Sequence, residues 1–415
     1  MKKINVIDLF AGAGGLSEGF LQTNFFDFLA HVEWEIPMVN TLRKNLVSRH
    51  GYSEKNVLKR VIHFDIQKTE ELLFGKWSDE CKKNYAATNS QCVIKKGLSE
   101  VVGKKKIDVI IGGPPCQAYS IAGRAQDPHS MKYDYRNYLF ESFVKVVDYF
   151  KPKIFVFENV PGILSAKPGE KFVIDRIYDA FSAIGYKIRK PELMKDSIYS
   201  ASDYGVPQDR NRVIIFGVQS SHEYILEKLY SALSSLKSSS AKRTVRDAIG
   251  FMPKFQPLAK SYKKNNKNVS HELIGNIVIP NHTPRYHNKR DMSVFKQWLS
   301  KNMNSLPNED KLKFYYSITG RKSNHNKYRS LEWDKPAPTV VSHLYKDGLM
   351  FIHPDIKQLR SITVREAALL QSFPIDFPFL GSDAYCFKMI GNAVPVLFAK
   401  KIGEAVADVL KNEKI

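Results

Sequence analysis

The sequence predicts an α/β fold in which a smaller basic module interrupts a doubly wound, mostly parallel sheet. In the first part of the chain, up to about residue 220, short apolar strands alternate with helical patterns, as when crossover helices connect parallel strands. Beyond it, a serine-rich stretch leads into a lysine-rich and asparagine-rich one. Helical periodicity then returns in residues 363–371 and 394–410, so we expect the first domain to resume there.

Seven strands are predicted before the basic module. They span residues 5–10, 28–33, 61–64, 109–111, 154–158, 186–193 and 212–218. The polar segment 68–106 is longer than a crossover requires, so it is interpreted as a surface insertion. The predicted domains are therefore 1–222 plus 363–415 for the α/β domain and 223–362 for the inserted one.

The charge of the chain indicates a polyanionic partner. Its 415 residues carry a formal net charge of +21, and the segment 228–329 alone holds 21 Lys and Arg against 5 Asp and Glu. Aromatic residues and histidines are interleaved with these charges, among them Tyr286, His287, Trp298, Tyr315, Tyr316, His325 and Tyr328. A solvated surface would explain the charge alone, but this mixture favours a nucleic-acid-binding face.

The cysteines predict neither a metal site nor a disulfide framework. Cys81, Cys92, Cys116 and Cys386 form no CxxC pair, which fits reduced thiols in the cytoplasm. Asp8 interrupts the apolar run near the start of the chain, so no signal peptide is expected. We also expect no membrane-spanning segment.

A glycine-rich turn follows the first strand and leads into a helix. Gly12, Gly14 and Gly15 allow a ligand to approach the backbone closely. Their spacing is G-x-G-G rather than the dinucleotide pattern G-x-G-x-x-G, so a pyrophosphate ligand is the weaker interpretation.

The ends of the next two predicted strands add polar and aromatic groups to this edge. Glu33 can accept hydrogen bonds from two ribose hydroxyls, and Trp34 beside it can stack on an adenine or a cation. Asp65 can accept from an adenine amino group, with Ile66 as an apolar wall. Together these groups predict an adenosine-containing cofactor without phosphates.

A stiff turn at 112–117, with the sequence Gly-Gly-Pro-Pro-Cys-Gln, follows the fourth strand. Two glycines and two prolines fix its path, and it presents Cys116 at the end of a strand. From this stretch alone, Cys116 is either a nucleophile or a small buried apolar side chain.

The chain resembles the cytosine-C5 DNA methyltransferases of bacterial restriction–modification systems. The resemblance rests on blocks that occur in the order typical of that family, at 8–15, 33–34, 65–66, 113–117, 136–140, 158–160, 208–212, 336–339 and 391–394. It implies a Rossmann-like domain that uses S-adenosyl-L-methionine and a target-recognition domain that binds double-stranded DNA. Such an enzyme flips its cytosine out of the duplex.

The resemblance also implies roles for the catalytic residues. Cys116 would attack C6 of the cytosine, and Glu158 would share a proton with N3, for which a raised pKa is expected. Glu158 could otherwise be an exposed loop acid, but its position at a strand end favours a site role. Arg212 would contact O2; Arg210 would join the same site or form a structural ion pair.

Further residues are assigned to cofactor and DNA. Leu139 and Phe10 would line the adenine pocket, although both could equally be core residues. The complete set predicted to bind cofactor is Phe10, Gly12, Gly14, Gly15, Glu33, Trp34, Asp65, Ile66, Pro115, Leu139, Asn392 and Val394. Segment 117–133 resembles the loop that closes over the flipped base, with Arg124 as its charge to the DNA backbone. Lys263, Lys264 and Lys267 are predicted to contact DNA phosphates.

Three alternatives remain at this point. A transfer-RNA cytosine methyltransferase would share the chemistry but would not need so large a basic module. A catalytically silent DNA-binding relative is disfavoured by the intact Pro-Pro-Cys, Glu-Asn-Val and Gln-x-Arg-x-Arg blocks. A NAD-dependent oxidoreductase would require the missing G-x-G-x-x-G pattern. We further expect a monomer, with a companion endonuclease acting on the same DNA sequence.

Overall fold

The computed structural model describes residues 2–115, 138–346 and 348–413 of the chain. The strands of their main sheet are β1 (Ile4–Leu9), β2 (Phe26–Glu33), β3 (Val61–His63), β4 (Val109–Gly112), β5 (Ile154–Asn159), β6 (Tyr186–Lys187), β7 (Ile198–Ser200) and β8 (Asn211–Gln219). The strand order is β3-β2-β1-β4-β5-β8-β6, with β7 paired to β8. The first five strands in this order are parallel, and β8 runs antiparallel to β5, β6 and β7.

Helices connect and cover these strands, as the predicted α/β class requires. In the first part of the chain they are α1 (Gly15–Leu21), α2 (Ile36–His50), α3 (Glu54–Arg60), α4 (Thr69–Phe74), α5 (Asp79–Tyr85), α6 (Gln91–Val102), α7 (Leu139–Phe150), α8 (Val173–Ala183) and α9 (Leu226–Ser235). Later helices are α10 (Val245–Ile249), α11 (Lys289–Ser300), α12 (Asn308–Thr319), α13 (Val364–Leu370), α14 (Asp383–Asn392) and α15 (Val396–Asn412).

The central strands are buried on both faces, and their sequences explain why. β4 and β5 are almost continuous runs of Val, Ile and Phe, and every residue in them is buried. Such runs are typical of parallel strands that helices cover on both sides. The order of strands reverses between β1 and β4, which makes their carboxyl ends the expected ligand-binding crevice.

The chain divides into two compact units, Met1–Tyr204 with Arg210–Ser239 and Ala393–Ile415, and Gly205–Asp209 with Ser240–Asn392. These limits differ from the predicted domain boundaries at both ends of the insertion. Helix α9 stays with the first unit, since the Tyr230 hydroxyl accepts from the Phe216 backbone N–H of β8 at 3.1 Å. Helix α13 stays with the second, since its Glu366 forms a buried bidentate pair with Arg360.

The second unit contains a two-stranded antiparallel hairpin and a core of its own. Strands β9 (Phe255–Lys264) and β10 (Lys267–Leu273) form the hairpin. The core includes Trp298 and Tyr328, and His287 is buried as well. The prediction that the interleaved aromatics form a nucleic-acid face is therefore wrong for these three, because packing within the second unit buries them. Tyr286 and Tyr316 are exposed.

Two further sequence predictions differ from the structure. The strand predicted at 186–193 has only two residues, because Pro191 begins a 3-10 helix at Pro191–Ser197. The surface insertion at 68–106 folds into α4, α5 and α6, and its Trp77 and Leu98 belong to the main core of the first unit. Apolar residues at helical spacing bury that side of the insertion, while its lysines stay outside.

Two other predictions concern membrane-spanning segments and metal sites. Among the helices of the described residues, none has the length and apolar character needed to cross a membrane. The same residues contain no group of three or more His, Cys, Asp or Glu that could hold a metal ion.

Candidate active site

The crevice between β1 and β4 brings two predicted motifs side by side. Leu9, the last residue of β1, is paired with Gly112, the last residue of β4. The glycine-rich turn after β1 and the Gly-Gly-Pro-Pro turn after β4 therefore start from neighbouring positions at one edge of the sheet. An added Cβ on Gly112 would lie 2.3 Å from the Leu9 carbonyl oxygen, so only glycine permits this approach.

The turn after β1 has an unusual backbone. Phe10 has a φ of 57°, in the left-handed region that side chains other than glycine rarely adopt. Gly12 and Gly14 follow with φ values of 58° and 89°. A hydrogen bond of 2.7 Å from the Ser17 hydroxyl to the buried Asp8 carboxylate ties α1 back to β1. Such a strained, anchored turn is typical of a ligand-binding loop.

The carboxylate of Glu33 is held in one orientation by three backbone N–H groups. Gly12 donates to Oε2 at 2.8 Å, and Trp34 and Glu35 donate to Oε1 at 2.9 and 2.8 Å. Burial raises the pKa of Glu33 to about 7, although these hydrogen bonds act in the opposite direction. Oε1 already accepts two of these bonds, whereas Oε2 accepts one and keeps a lone pair with which it can accept a hydroxyl.

The other predicted residues on this side combine an exposed ring with a carboxylate. The Trp34 residue is 50% exposed although it directly follows a buried strand. Asp65 is half-buried and accepts from the Gln67 backbone N–H at 3.0 Å, and Ile66 beside it is buried. The edge of the sheet thus carries one flat aromatic surface and two acceptor groups.

Glu158, at the end of β5, lies between the Gly-Gly turn and an arginine. Its Oε1 accepts from Arg212 Nε at 2.7 Å. A Cβ on Gly113 would lie only 2.6 Å from Glu158 Oε2, so the carboxylate occupies the space that a side chain would fill. Burial raises the pKa of Glu158, and the charges of Arg212 and Arg210 offset this only partly. The interpretation as an exposed loop acid is wrong, because the residue is buried.

Arg210 and Asn159 complete this part of the site. Arg210 is 1% exposed, and its Nη2 donates to the Ala393 carbonyl at 3.1 Å. Asn159 donates from Nδ2 to the Pro114 carbonyl at 3.2 Å and so supports the turn that leads to residue 116. Sequence reasoning missed this role of Asn159, although its position directly after Glu158 was a usable signal.

Comparison with known proteins shows the family. The family model described as C-5 cytosine-specific DNA methylase matches residues 4–75 and 62–408. The chain belongs to this family. It is 35% identical to the type II methyltransferase M.Bpa9945I of Bacillus paralicheniformis, over 98% of this chain and 99% of that one. It is 32% identical to the type II methyltransferase M1.HphI of Haemophilus parahaemolyticus, over 99% and 88% respectively.

The comparisons also confirm the fold and the class of reaction. A solved structure described as a candidate DNA modification methyltransferase from an E. coli prophage aligns with a TM-score of 0.58, at 23% identity over 99% of this chain and 100% of that one. This confirms the Rossmann-like α/β fold. The chain is a DNA (cytosine-5-)-methyltransferase whose methyl donor is S-adenosyl-L-methionine. The transfer-RNA methyltransferase, the silent relative and the oxidoreductase are not favoured.

The residues of the first unit fit this cofactor chemically. The methyl donor presents two ribose hydroxyls and an adenine, and the β2 and β3 ends present the Glu33 and Asp65 carboxylates with the exposed Trp34 ring. Phe10 is partly buried and packs against the main core of the first unit. Leu139 is buried at the start of α7. The adenine-pocket role of both residues stays a prediction.

The remaining predicted residues either lie outside the described part of the chain or stand next to the ends of strands and helices. Cys116, Arg124 and the segment 117–133 lie outside the described residues. Pro115, the last residue described before them, is half-buried. Asn392 is exposed at the end of α14 in the second unit, whereas Val394 is buried in the first. The cofactor roles of Pro115, Asn392 and Val394 stay predictions.

The predicted DNA-binding lysines cluster at the tip of the β9–β10 hairpin. Lys264 is paired with Lys267, and Lys263 with Asn268. The turn between the strands consists of Asn265 and Asn266, with φ values of 49° and 60°, as a two-residue hairpin turn requires. All residues from 261 to 268 are exposed. The three cations therefore project from an exposed two-stranded ribbon.

Proposed function

We propose that this methyltransferase modifies one cytosine within a specific double-stranded DNA sequence, as the partner of a restriction endonuclease. The observation that carries the catalytic part is the buried Glu158 carboxylate, held by Arg212 against the Gly113 turn. The type II names of its relatives support the link to restriction. We further propose that the protein acts as a monomer in the cytoplasm.

The proposed reaction starts with Cys116. Cytosine C5 is a poor nucleophile, so the Cys116 thiolate adds to C6 and makes C5 electron-rich. S-adenosyl-L-methionine, when bound, would supply an electrophilic methyl group to that carbon, with the S–CH3 bond breaking and the sulfur leaving as a neutral thioether. Loss of the C5 proton then restores the C5–C6 double bond and expels the thiolate.

Glu158 is proposed to hold a proton at N3 during the addition. Protonating or hydrogen bonding N3 withdraws electrons from the ring and so favours attack at C6. A carboxyl group can perform this role only if it keeps its proton near neutral pH. Its burial raises the pKa in the required direction.

The two arginines are proposed to support this step in different ways. Arg212 already contacts Glu158 through Nε, and its guanidinium has further N–H groups that can donate to cytosine O2. Arg210 is buried, and its charge acts on the same carboxyl. We therefore assign Arg210 to positioning and Arg212 to contact with the base.

The second unit is proposed to recognise the DNA sequence. Its exposed lysine-rich hairpin is a two-stranded β-ribbon, a type of element that can enter a major groove. Lys263, Lys264 and Lys267 would contact phosphates, which give affinity without sequence specificity. Base contacts would come from other side chains of the same unit.

Substituting Cys116 with serine tests the reaction. C116S should lose methyl transfer to DNA while still binding S-adenosyl-L-methionine and DNA, because a hydroxyl is a far weaker nucleophile. DNA that contains 5-fluorocytosine should trap the wild-type protein covalently, since fluorine cannot leave as a proton does. C92S, which changes a partly exposed thiol, is the matched control and should stay active.

Two results would contradict the proposal. One is substantial turnover by C116S together with a failure of the fluorinated DNA to trap the wild-type enzyme. The other is methylation of transfer RNA, but not of duplex DNA, by the wild-type enzyme. Bisulfite sequencing of DNA from cells that express the protein would identify the modified sequence.

A further inference from the structure

The insertion between β3 and β4 packs its Tyr85 ring against the His63 ring and also hydrogen-bonds to the cofactor edge of the sheet from a short turn. This turn, Thr88 and Asn89, follows α5 and precedes α6. Neither residue belongs to a block of the family resemblance. Both nevertheless bond to His63, the last residue of β3, which stands two positions before Asp65.

Asn89 pairs with β3 as a neighbouring strand would. β3 is the end strand of the sheet, and its residues Val61 and His63 turn backbone groups away from β2. The Asn89 side chain accepts from the His63 N–H at 3.0 Å and donates to the His63 carbonyl at 2.8 Å. Arg43 joins the same edge, since Nη2 donates to the carbonyls of Val61 and Thr88 at 2.6 and 2.8 Å.

Thr88 acts through the His63 ring on the strand beside it. His63 Nε2 lies 2.9 Å from the Trp34 carbonyl, which can only accept, so Nε2 carries the proton. Burial lowers the pKa of His63, so the ring is neutral and Nδ1 is an acceptor. The Thr88 hydroxyl lies 2.7 Å from Nδ1 and 3.0 Å from the Tyr85 carbonyl, so its single proton has two acceptors within reach. With Nε2 protonated, donation to Nδ1 satisfies the ring and stabilises the tautomer that bonds to Trp34.

We propose that Thr88 and Asn89 are positioning residues of the cofactor site. They fix His63, and through its backbone and its ring they fix where the Asp65 and Trp34 segments lie. Without them, the end strand and the Trp34 main chain would each gain freedom that cofactor binding must remove. The inference rests on the proposed assignment of Trp34 and Asp65 to the cofactor.

Threonine variants test this without a large change in volume. T88V keeps the shape of the side chain but loses the hydroxyl, so the dissociation constant for S-adenosyl-L-methionine should rise about 3- to 10-fold, the effect of one hydrogen bond. T88S keeps the hydroxyl and should bind like the wild type. At saturating cofactor, kcat should be unchanged in both variants, since Thr88 is proposed to act on the cofactor site and not on the base.

Two controls separate this proposal from the cofactor assignment. S99A removes a hydroxyl on α6 of the same insertion that donates to the Lys96 carbonyl within its own helix, and this variant should bind cofactor normally. W34A tests the assignment itself: if calorimetry shows no loss of cofactor affinity in W34A, the assigned cofactor site is wrong. If W34A loses affinity but T88V does not, or if T88S loses as much as T88V, the positioning role is overturned.

Discussion

Replacing Gly113 with alanine should damage catalysis far more than folding. The new Cβ would lie 2.6 Å from Glu158 Oε2, and the carboxylate must retreat by about 0.8 Å to reach an ordinary contact of 3.4 Å. That movement also disturbs the 2.7 Å bond to Arg212. A misplacement of this size costs roughly 10²-fold in rate, so kcat for methyl transfer should fall about that much.

The neighbouring Gly112 provides a matched comparison. A Cβ there would lie 2.3 Å from the Leu9 carbonyl oxygen, a backbone atom inside the sheet that cannot move alone. G112A should therefore lower the free energy of unfolding by about 3 kcal/mol, whereas G113A should lower it by about 1 kcal/mol.

Transfer of radiolabelled methyl groups to DNA, measured at saturating cofactor, together with urea unfolding, separates the two effects. Cofactor affinity should be unchanged in G113A, because Gly113 adjoins Glu158 and not the β2 end. A G113A enzyme whose kcat stays within about threefold of the wild type would refute the assignment of Glu158 to the reacting base.

Three other predictions follow from single contacts or clusters. Glu33→Ala should weaken S-adenosyl-L-methionine binding by roughly 1–3 kcal/mol, and unchanged affinity in calorimetry would reject its ribose role. Burial acts to raise the pKa of Glu18, but hydrogen bonds, led by that to His50, lower it to about 2. Its carboxylate should therefore add about 3 kcal/mol of stability above pH 4.5, lost as the pH falls towards 2; urea unfolding of Glu18→Gln should show a flatter acid limb. Neutralising Lys263, Lys264 and Lys267 together should weaken binding to every DNA sequence and reduce the log–log salt slope by up to about one unit per lost phosphate contact. An unchanged slope would place the DNA elsewhere.

The sequence predicted the site best where local pattern determines structure. The apolar runs of β4 and β5 and the Gly-Gly-Pro-Pro turn could be interpreted directly, because burial on both faces and the glycine contacts leave few alternatives. The same pattern predicted that Glu33 and Glu158 stand at strand ends. The structure places both there, with buried carboxylates.

Local pattern failed where a residue's surroundings come from distant parts of the chain. His287 and Trp298 are residue types that nucleic-acid-binding faces commonly contain, but packing within the second unit buries both side chains. The insertion at 68–106 has a polar sequence, yet its Asn89 completes the edge of β3. No spacing in the sequence indicates such a pairing.

By itself, the sequence determined the family, the α/β class and the residue types at the ends of β1, β2, β4 and β5, because motif order and apolar periodicity are properties of the chain alone. Only the tertiary structure decided what those residues touch. The three N–H groups on Glu33, the Arg212 contact of Glu158 and the His63 link to Trp34 each depend on how separate segments pack. Packing sets burial and hydrogen bonding, and these in turn set the pKa values on which the proposed chemistry depends.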